Sequence, residues 1–286
     1  MRARKRLKRR AEYWLISSIM FVARLLPARP GRALFASLGS LANRLLTRDR
    51  ERAIDNLGIA FPEADRMVRA AWTKAMFRSL GRNAYEALTL ENAPPDEVAA
   101  RVTRVEGIEI LEEAYGRGRG LIAITGHIGC WELMPAYFIT QGYRVSVVAR
   151  RMKVDQLNQR LVSLRGSLGV VSLDRDTSPR AMIAPIRKGE ALGVLIDQHT
   201  SVAGIYVPFF GRPAQTPTAV AKIALMTGAP IMPMAIFQQR DGRHVIHVLP
   251  EVVPPRGGSR EECITELTRR CSLAVEQLVR IDPKQW

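Results

Sequence analysis

Cysteine is scarce in these 286 residues: Cys130, Cys263 and Cys271 form an odd set with no CxxC pair. That argues against a disulfide framework and a structural zinc site, and for a reducing compartment. Aromatic residues reach only 6%, and no helix-turn-helix, zinc-finger or aromatic RNA-binding signature occurs. No internal repeat or low-complexity tract is present. Acid is short as well: 27 Asp and Glu face 43 Lys and Arg, giving a formal net charge of +16. A surface of that sign expects an anionic partner, either nucleic acid or the negatively charged face of a membrane. Without a reading module, the charge favours anionic membrane lipid over nucleic acid. A basic nucleic-acid-binding protein stays the rival from another class.

What is present begins with the segment MRARKRLKRR, which carries seven Lys or Arg and no acid. An apolar run, Tyr13 to Leu26, follows it. A secretory signal would read this way, but Pro27-Ala28-Arg29-Pro30 is basic where a small-residue cleavage site belongs. Fourteen residues make about 21 Å of helix, short of the roughly 30 Å of a bilayer's hydrocarbon. A helix lying in one leaflet on the cytoplasmic side fits better than a transmembrane anchor, which remains the alternative. Ala33 to Leu46 repeats the amphipathic character. The expectation is therefore a membrane-associating region over 1–47 and a main domain over 48–286, whose lead-in, 48–92, is helical.

Past the Pro94-Pro95 linker the pattern alternates. Strands are expected at Val102–Val105, Leu121–Thr125, Tyr143–Ala149, Val170–Leu173, Ala191–Ile196, Ile231–Phe237 and His244–Leu249. Helices fall between most of them, one starting around Trp131, a loop runs from Asp197-Gln198 to Pro217, and the last helix runs from Glu261 to Ile281. Near-continuous apolar strands alternating with helices predict an α/β fold with a mostly parallel sheet covered on both faces. Ligands of such sheets sit off the carboxyl ends of the strands, where His127 and Asp197 fall.

The segment LIAITGHIGCWELM, Leu121 to Met134, carries the chemistry. A buried strand meets a turn with Gly126, His127 and Gly129, and Glu132 follows one helical turn later. Glycine admits close backbone approach. The helix start offers unpaired N–H groups to developing negative charge. In one scheme Cys130 is a nucleophile with His127 as its base, as in a hydrolase. In the other, His127 takes a proton from a substrate hydroxyl, and Glu132 holds the imidazole tautomer. A buried histidine capping a helix is the bland alternative. His244 and His247 lie three apart on a strand, on opposite faces, and make a poor metal pair.

Gly126-His127-x-Gly129-x-Trp131-Glu132 resembles the HxxxxD/E motif of the glycerolipid acyltransferase superfamily, in the form of the bacterial late acyltransferases of lipid A. The likeness continues through Val148–Arg151, Lys188-Gly189, Asp197-Gln198, Val207–Gly211, Thr216-x-Thr218 and Thr227–Pro230. Upstream, Asn56-Leu57-x-x-Ala60-Phe61-Pro62 resembles the N-terminal signature. The resemblance implies transfer of a fatty acyl chain from acyl carrier protein, or coenzyme A, to a hydroxyl of a lipid A precursor or another glycolipid or lysophospholipid. The setting it implies is the cytoplasmic face of a bacterial inner membrane. No cofactor and no metal are expected. His127 and Glu132 are then the catalytic pair. Arg150 and Arg165 are candidates for the thioester oxyanion or an acceptor phosphate, with a salt bridge from Arg165 to Asp174 or Asp176 as the rival. Asp197, Gln198, Gly126 and Gly129 support the site. Cys130 stands where the family commonly has Asn, and Pro283-Lys284-Gln285-Trp286 resembles part of a basic, aromatic tail.

Overall fold

Seven apolar segments join one sheet in a computed structural model of the chain, which describes residues 14, 17–152, 154–176, 179–200 and 202–286. The strands are β1 (Val102–Glu106), β2 (Leu121–Thr125), β3 (Val145–Ala149), β4 (Val171–Asp174), β5 (Ala191–Leu195), β6 (Gly204–Phe209), β7 (Arg212–Pro217), β8 (Ile231–Gln238) and β9 (His244–Val248). The sheet order is β1-β9-β8-β2-β5-β3-β4, and β6 pairs only with β7. Every neighbouring pair in the sheet is parallel except β8 with β9. The mainly parallel sheet flanked by helices matches the sequence expectation.

The helices of the first half are α1 (Ala28–Leu45), α2 (Thr47–Ala60), α3 (Arg66–Leu88), α4 (Pro95–Ala100) and α5 (Ile108–Gly116). Those of the second half are α6 (Leu133–Thr140), α7 (Asp155–Ser167), α8 (Pro179–Arg187), α9 (Ala219–Thr227) and α10 (Arg260–Ile281). Strand alternation sends Ile122 and Ile124 into one core with α9 and α10, whereas Leu121 joins Leu111, Leu133 and Phe138 in the other. All eight residues of β8 are buried, as a strand covered on both faces requires.

The stretch before Pro217, expected as a loop, holds the β6–β7 hairpin instead. Its pattern is hidden by Pro208, Pro213 and Pro217, which a two-stranded ribbon tolerates because it has free edges. The turn places Phe210 and Gly211 both at positive φ, 49° and 71°, the geometry of a tight hairpin. Glu276 of α10 accepts the Phe210 N–H at 2.7 Å and so offsets the strain at a non-glycine residue.

Residues 17–25 are helical, while residues 1–13, with the basic run, lie outside the described residues. Among the described residues no helix is long and apolar enough to cross a membrane. Helix α1 crosses α3 at backbone contact. A Cβ on Gly39 would strike the Phe77 carbonyl, and one on Gly81 the Phe35 carbonyl. The opposite stripe of α1, Leu34, Leu38, Leu41 and Leu45, is exposed. These positions fall within about 60° of arc at 3.6 residues per turn, so the exposure is one continuous apolar face.

Candidate active site

Parallel pairing of β2 with β5 sets Thr125 beside Leu195, and the Ile196 amide donates to the Thr125 carbonyl at 3.0 Å. One residue further, the turn after β2 and the turn after β5 face each other. His127 and Asp197 meet there. The imidazole Nδ1 lies 2.7 Å from Asp197 Oδ1, and the His127 backbone N–H donates to Oδ2 at 2.7 Å. The Asp197 side chain is 3% exposed, against 32% for His127. With Nδ1 held by the carboxylate, Nε2 is the ring nitrogen left for a substrate.

Gly126 is what lets the carboxylate in. A Cβ there would lie 2.9 Å from Asp197 Oδ2, closer than ordinary packing permits. Gly129 has φ 56° and its added Cβ would collide with the Ile236 carbonyl, so only glycine suits that turn. The edge of the imidazole meets the Trp131 ring at 5.1 Å between centroids.

Glu132 is placed differently from the expectation that it orients His127. Its two oxygens receive the fork of Arg165, Nε to Oε2 at 2.9 Å and Nη2 to Oε1 at 2.6 Å. Both side chains are largely buried, 11% exposed for Arg165 and 14% for Glu132. The reason is local. Helix α6 begins only at Leu133, with Glu132 as its cap residue, so Glu132 sits on the shoulder of α6 beside α7. Arg165 is thus engaged by Glu132, not by Asp174 or Asp176. The late helix start also changes the expected amide donors. The His127 amide goes to Asp197, that of Ile128 to the Gly126 carbonyl, and that of Gly129 to the Gln285 carbonyl.

The other candidates separate cleanly. Arg150 is exposed just past β3, and Gln198 is exposed beside Asp197. Cys130 is 2% exposed, and its sulfur lies 3.9 Å from the Asn83 carbonyl. Burial, aided by the nearby charge of Glu86, pushes its thiol well above the ordinary range. That makes a poor nucleophile, since the thiolate is the reactive form. His244 is fully buried at the start of β9 and His247 pairs with Glu106 at 2.9 Å, on opposite faces as expected. Sequence reasoning missed Trp286, whose indole N–H donates to Asp197 Oδ2 at 3.1 Å. Nothing local signals a contact between residues 89 apart.

A separate apolar cavity of about 50 Å³ lies between the sheet and α6, toward the amino ends of β2, β3 and β5. Leu111, Leu121, Met134, Phe138, Tyr143 and Met234 line it, with Ala123 of β2 and Gly193 of β5 on its floor. Asp197 itself lines a different cavity, of about 210 Å³, with Ile196, His199, Tyr206, Phe209 and Thr216.

The sequence model of the bacterial lipid A biosynthesis acyltransferases matches residues 2–286, and the chain belongs to that family. It is 28% identical over 248 residues to the lipid A biosynthesis lauroyltransferase of Escherichia coli K12, covering 85% of this chain and 79% of that one. Identity to the lipid A biosynthesis myristoyltransferase of the same organism is 25% over 275 residues, 96% of this chain and 84% of that one. The phosphatidylinositol mannoside acyltransferase of Mycobacterium tuberculosis H37Rv is 28% identical over 164 residues, 56% of this chain. That match spans about half, 52%, of the mycobacterial protein's length.

Proposed function

We propose that this protein transfers a fatty acyl group from a thioester, on acyl carrier protein or coenzyme A, to a hydroxyl of a glycolipid. His127 is the general base and Asp197 its orienting acid. The observation that carries this reading is the 2.7 Å contact of His127 Nδ1 with a nearly buried Asp197 carboxylate. The acceptor oxygen attacks the thioester carbonyl carbon while its proton passes to Nε2. The C–S bond then breaks, and the departing sulfur takes the proton back from the imidazolium. An ester forms and a thiol leaves. Asp197 fixes the tautomer and stabilises the imidazolium between the two steps. Such general-base help is worth about 10²–10⁴-fold.

Arg150, at the same sheet edge and not engaged by Glu132, is the proposed cation for the thioester oxyanion or an acceptor phosphate. Glu132 and Arg165 brace the catalytic turn against α7. The apolar cavity between the sheet and α6 is the proposed start of the donor-chain channel; at about 50 Å³ it must widen to take a whole acyl chain, and each methylene buried there would contribute about 0.8 kcal/mol to chain-length preference.

The proposed workplace is the anionic cytoplasmic face of a bacterial inner membrane. Supporting it are the exposed leucines of α1 together with Phe21 and Leu25, 65% and 68% exposed, and the excess of cationic residues. A lipid A precursor is the first acceptor proposed, because lipid A acyltransferases match 85% and 96% of this chain. A phosphoinositol mannoside-like glycolipid is the second reading, favoured by the mycobacterial match. Lipid mass spectrometry of cells with and without the protein separates them, since one acyl chain's mass shifts on the true acceptor. His127→Ala in a purified assay with both thioester donors tests the base. Undiminished turnover by that folded variant would sink the mechanism.

A further inference from the structure

The Asp197 carboxylate is held by more than His127. Its Oδ1 faces the imidazole, and its Oδ2 accepts two N–H groups, the His127 amide at 2.7 Å and the Trp286 indole at 3.1 Å. The carboxylate's last torsion is soft and broadly two-fold. Both bonds to His127 come from one residue and would travel with it if the turn shifted. The indole bond comes from a different part of the chain and fixes the carboxylate plane independently.

The indole is itself anchored. The short 3₁₀ turn Pro283–Gln285 precedes it. The Gln285 carbonyl takes the Gly129 amide at 2.8 Å, in the same loop as His127. The Gln285 side chain closes a two-way pair with Gln238 at the end of β8, accepting its N–H at 2.8 Å and donating to its carbonyl at 3.0 Å. The Trp286 ring packs against Phe209 and Phe210 at centroid distances of 6.0 and 5.7 Å. Asp282–Trp286 therefore clasps the strand ends of β2, β5 and β8 together at the site. The Asp197 side chain is 3% exposed, and low exposure to water strengthens its hold on an imidazolium.

We infer that Trp286 is a positioning residue for the proposed reaction: its N–H keeps Asp197 aligned on His127, and its ring, packed on Phe209 and Phe210, holds that N–H in place. The inference rests on the acyl-transfer reading of His127. Trp286→Phe keeps an aromatic ring and removes the N–H. Loss of a hydrogen bond to a charged group should lower kcat about tenfold with KM unchanged, beside the modest fall in melting temperature that losing such a bond to a buried carboxylate brings. In an Asp197→Asn background the same change should cost nothing further, because the charge it aligns is gone. Trp286→His, which restores a ring N–H, should recover part of the lost kcat.

Wild-type kcat in Trp286→Phe, or an equal loss in both backgrounds, overturns the inference. So does a loss that comes with a raised KM, or one that Trp286→His fails to recover in any part, the marks of packing alone. His127→Ala, run in parallel, separates the two levels. Full turnover there defeats the acyl-transfer site itself, whereas a dead His127→Ala beside a normal Trp286→Phe defeats only the role of Trp286.

Discussion

Two carboxylates compete for the role of orienting acid, and exchanging each for its amide decides between them. Asp197 Oδ1 sits 2.7 Å from the imidazole, while Oδ2 is tied to the His127 amide and the Trp286 indole. In Asp197→Asn the amide NH₂ replaces one oxygen, and both positions face N–H donors. Either Nδ1 loses its acceptor or Oδ2's two donors do. The imidazole then turns or adopts the other tautomer, with Nε2 protonated and useless as a base. An equivalent change in a serine protease triad lowers kcat by about 10⁴, so a fall of about 10²–10⁴ in kcat is expected here. Glu132→Gln acts elsewhere. It removes the charge from the Arg165 pair, whose partners are 11% and 14% exposed, yet keeps one acceptor for the guanidinium. The expected cost is about 2 kcal/mol of stability, or a melting point lower by about 4–8 °C, with kcat within about fivefold of wild type, far above the level of the Asn variant. The assay is steady-state transfer from acyl carrier protein or coenzyme A thioester, beside a thermal melt of each variant. Near-normal kcat in folded Asp197→Asn, with Glu132→Gln inactive but equally stable, would refute the assignment of Asp197.

Gly126→Ala places a methyl 2.9 Å from Asp197 Oδ2; since a misplacement of about 1 Å can cost about 10²-fold, kcat should fall about 10–10²-fold, and wild-type kcat would show that the carboxylate has room. Leu38→Asp with Leu41→Asp alters residues that are 47% and 48% exposed; cosedimentation should show binding to anionic vesicles weakened by about 10²-fold or more, at about 1.5–3 kcal/mol per leucine, with the melting temperature unchanged. Equal vesicle binding would remove α1 from the membrane contact. His244 is fully buried, its Nε2 has no hydrogen-bond partner, and burial lowers its pKa. Its neutral form therefore stabilises the fold fully above about pH 6.5, and that contribution is lost as pH falls through the depressed folded value. Denaturant unfolding of wild type and His244→Phe should give a stability difference that moves against wild type by up to about 1.4 kcal/mol per pH unit below pH 6.5; a difference independent of pH would refute it.

The sheet was legible because its strands are short apolar runs bounded by Gly, Pro or charge, and covered on both faces. Ala191–Leu195 and Ile231–Gln238 are of that kind. The β6–β7 hairpin was not, since its prolines disguise a ribbon that needs few ladder bonds. Helix α6 was expected at Trp131 but begins at Leu133. Turns at 126–132 use their amides in tertiary bonds, to Asp197 and Gln285, that no periodicity reports. The same limit governs the site. His127 stands out between glycines after an apolar strand, and Asp197 at the end of another. Spacing along the chain made Glu132 the natural partner, but the register of β2 on β5 brings Asp197 to Nδ1 and leaves Glu132 for Arg165.

Asp197 stands 70 residues from His127 along the chain and 89 from Trp286, and the clasp at Gln285 spans a further distant strand. Closing loops of that length comes late in folding, after local helices have formed and collapsed. The apolar faces of residues 17–25 and α1 belong to local structure and exist sooner. On the proposed function, a newly made or partly unfolded molecule would therefore be able to meet a lipid surface before its catalytic centre is assembled. The proposed site, by contrast, exists only when strands β2, β5 and β8 have been drawn together, so activity would report completion of the whole topology.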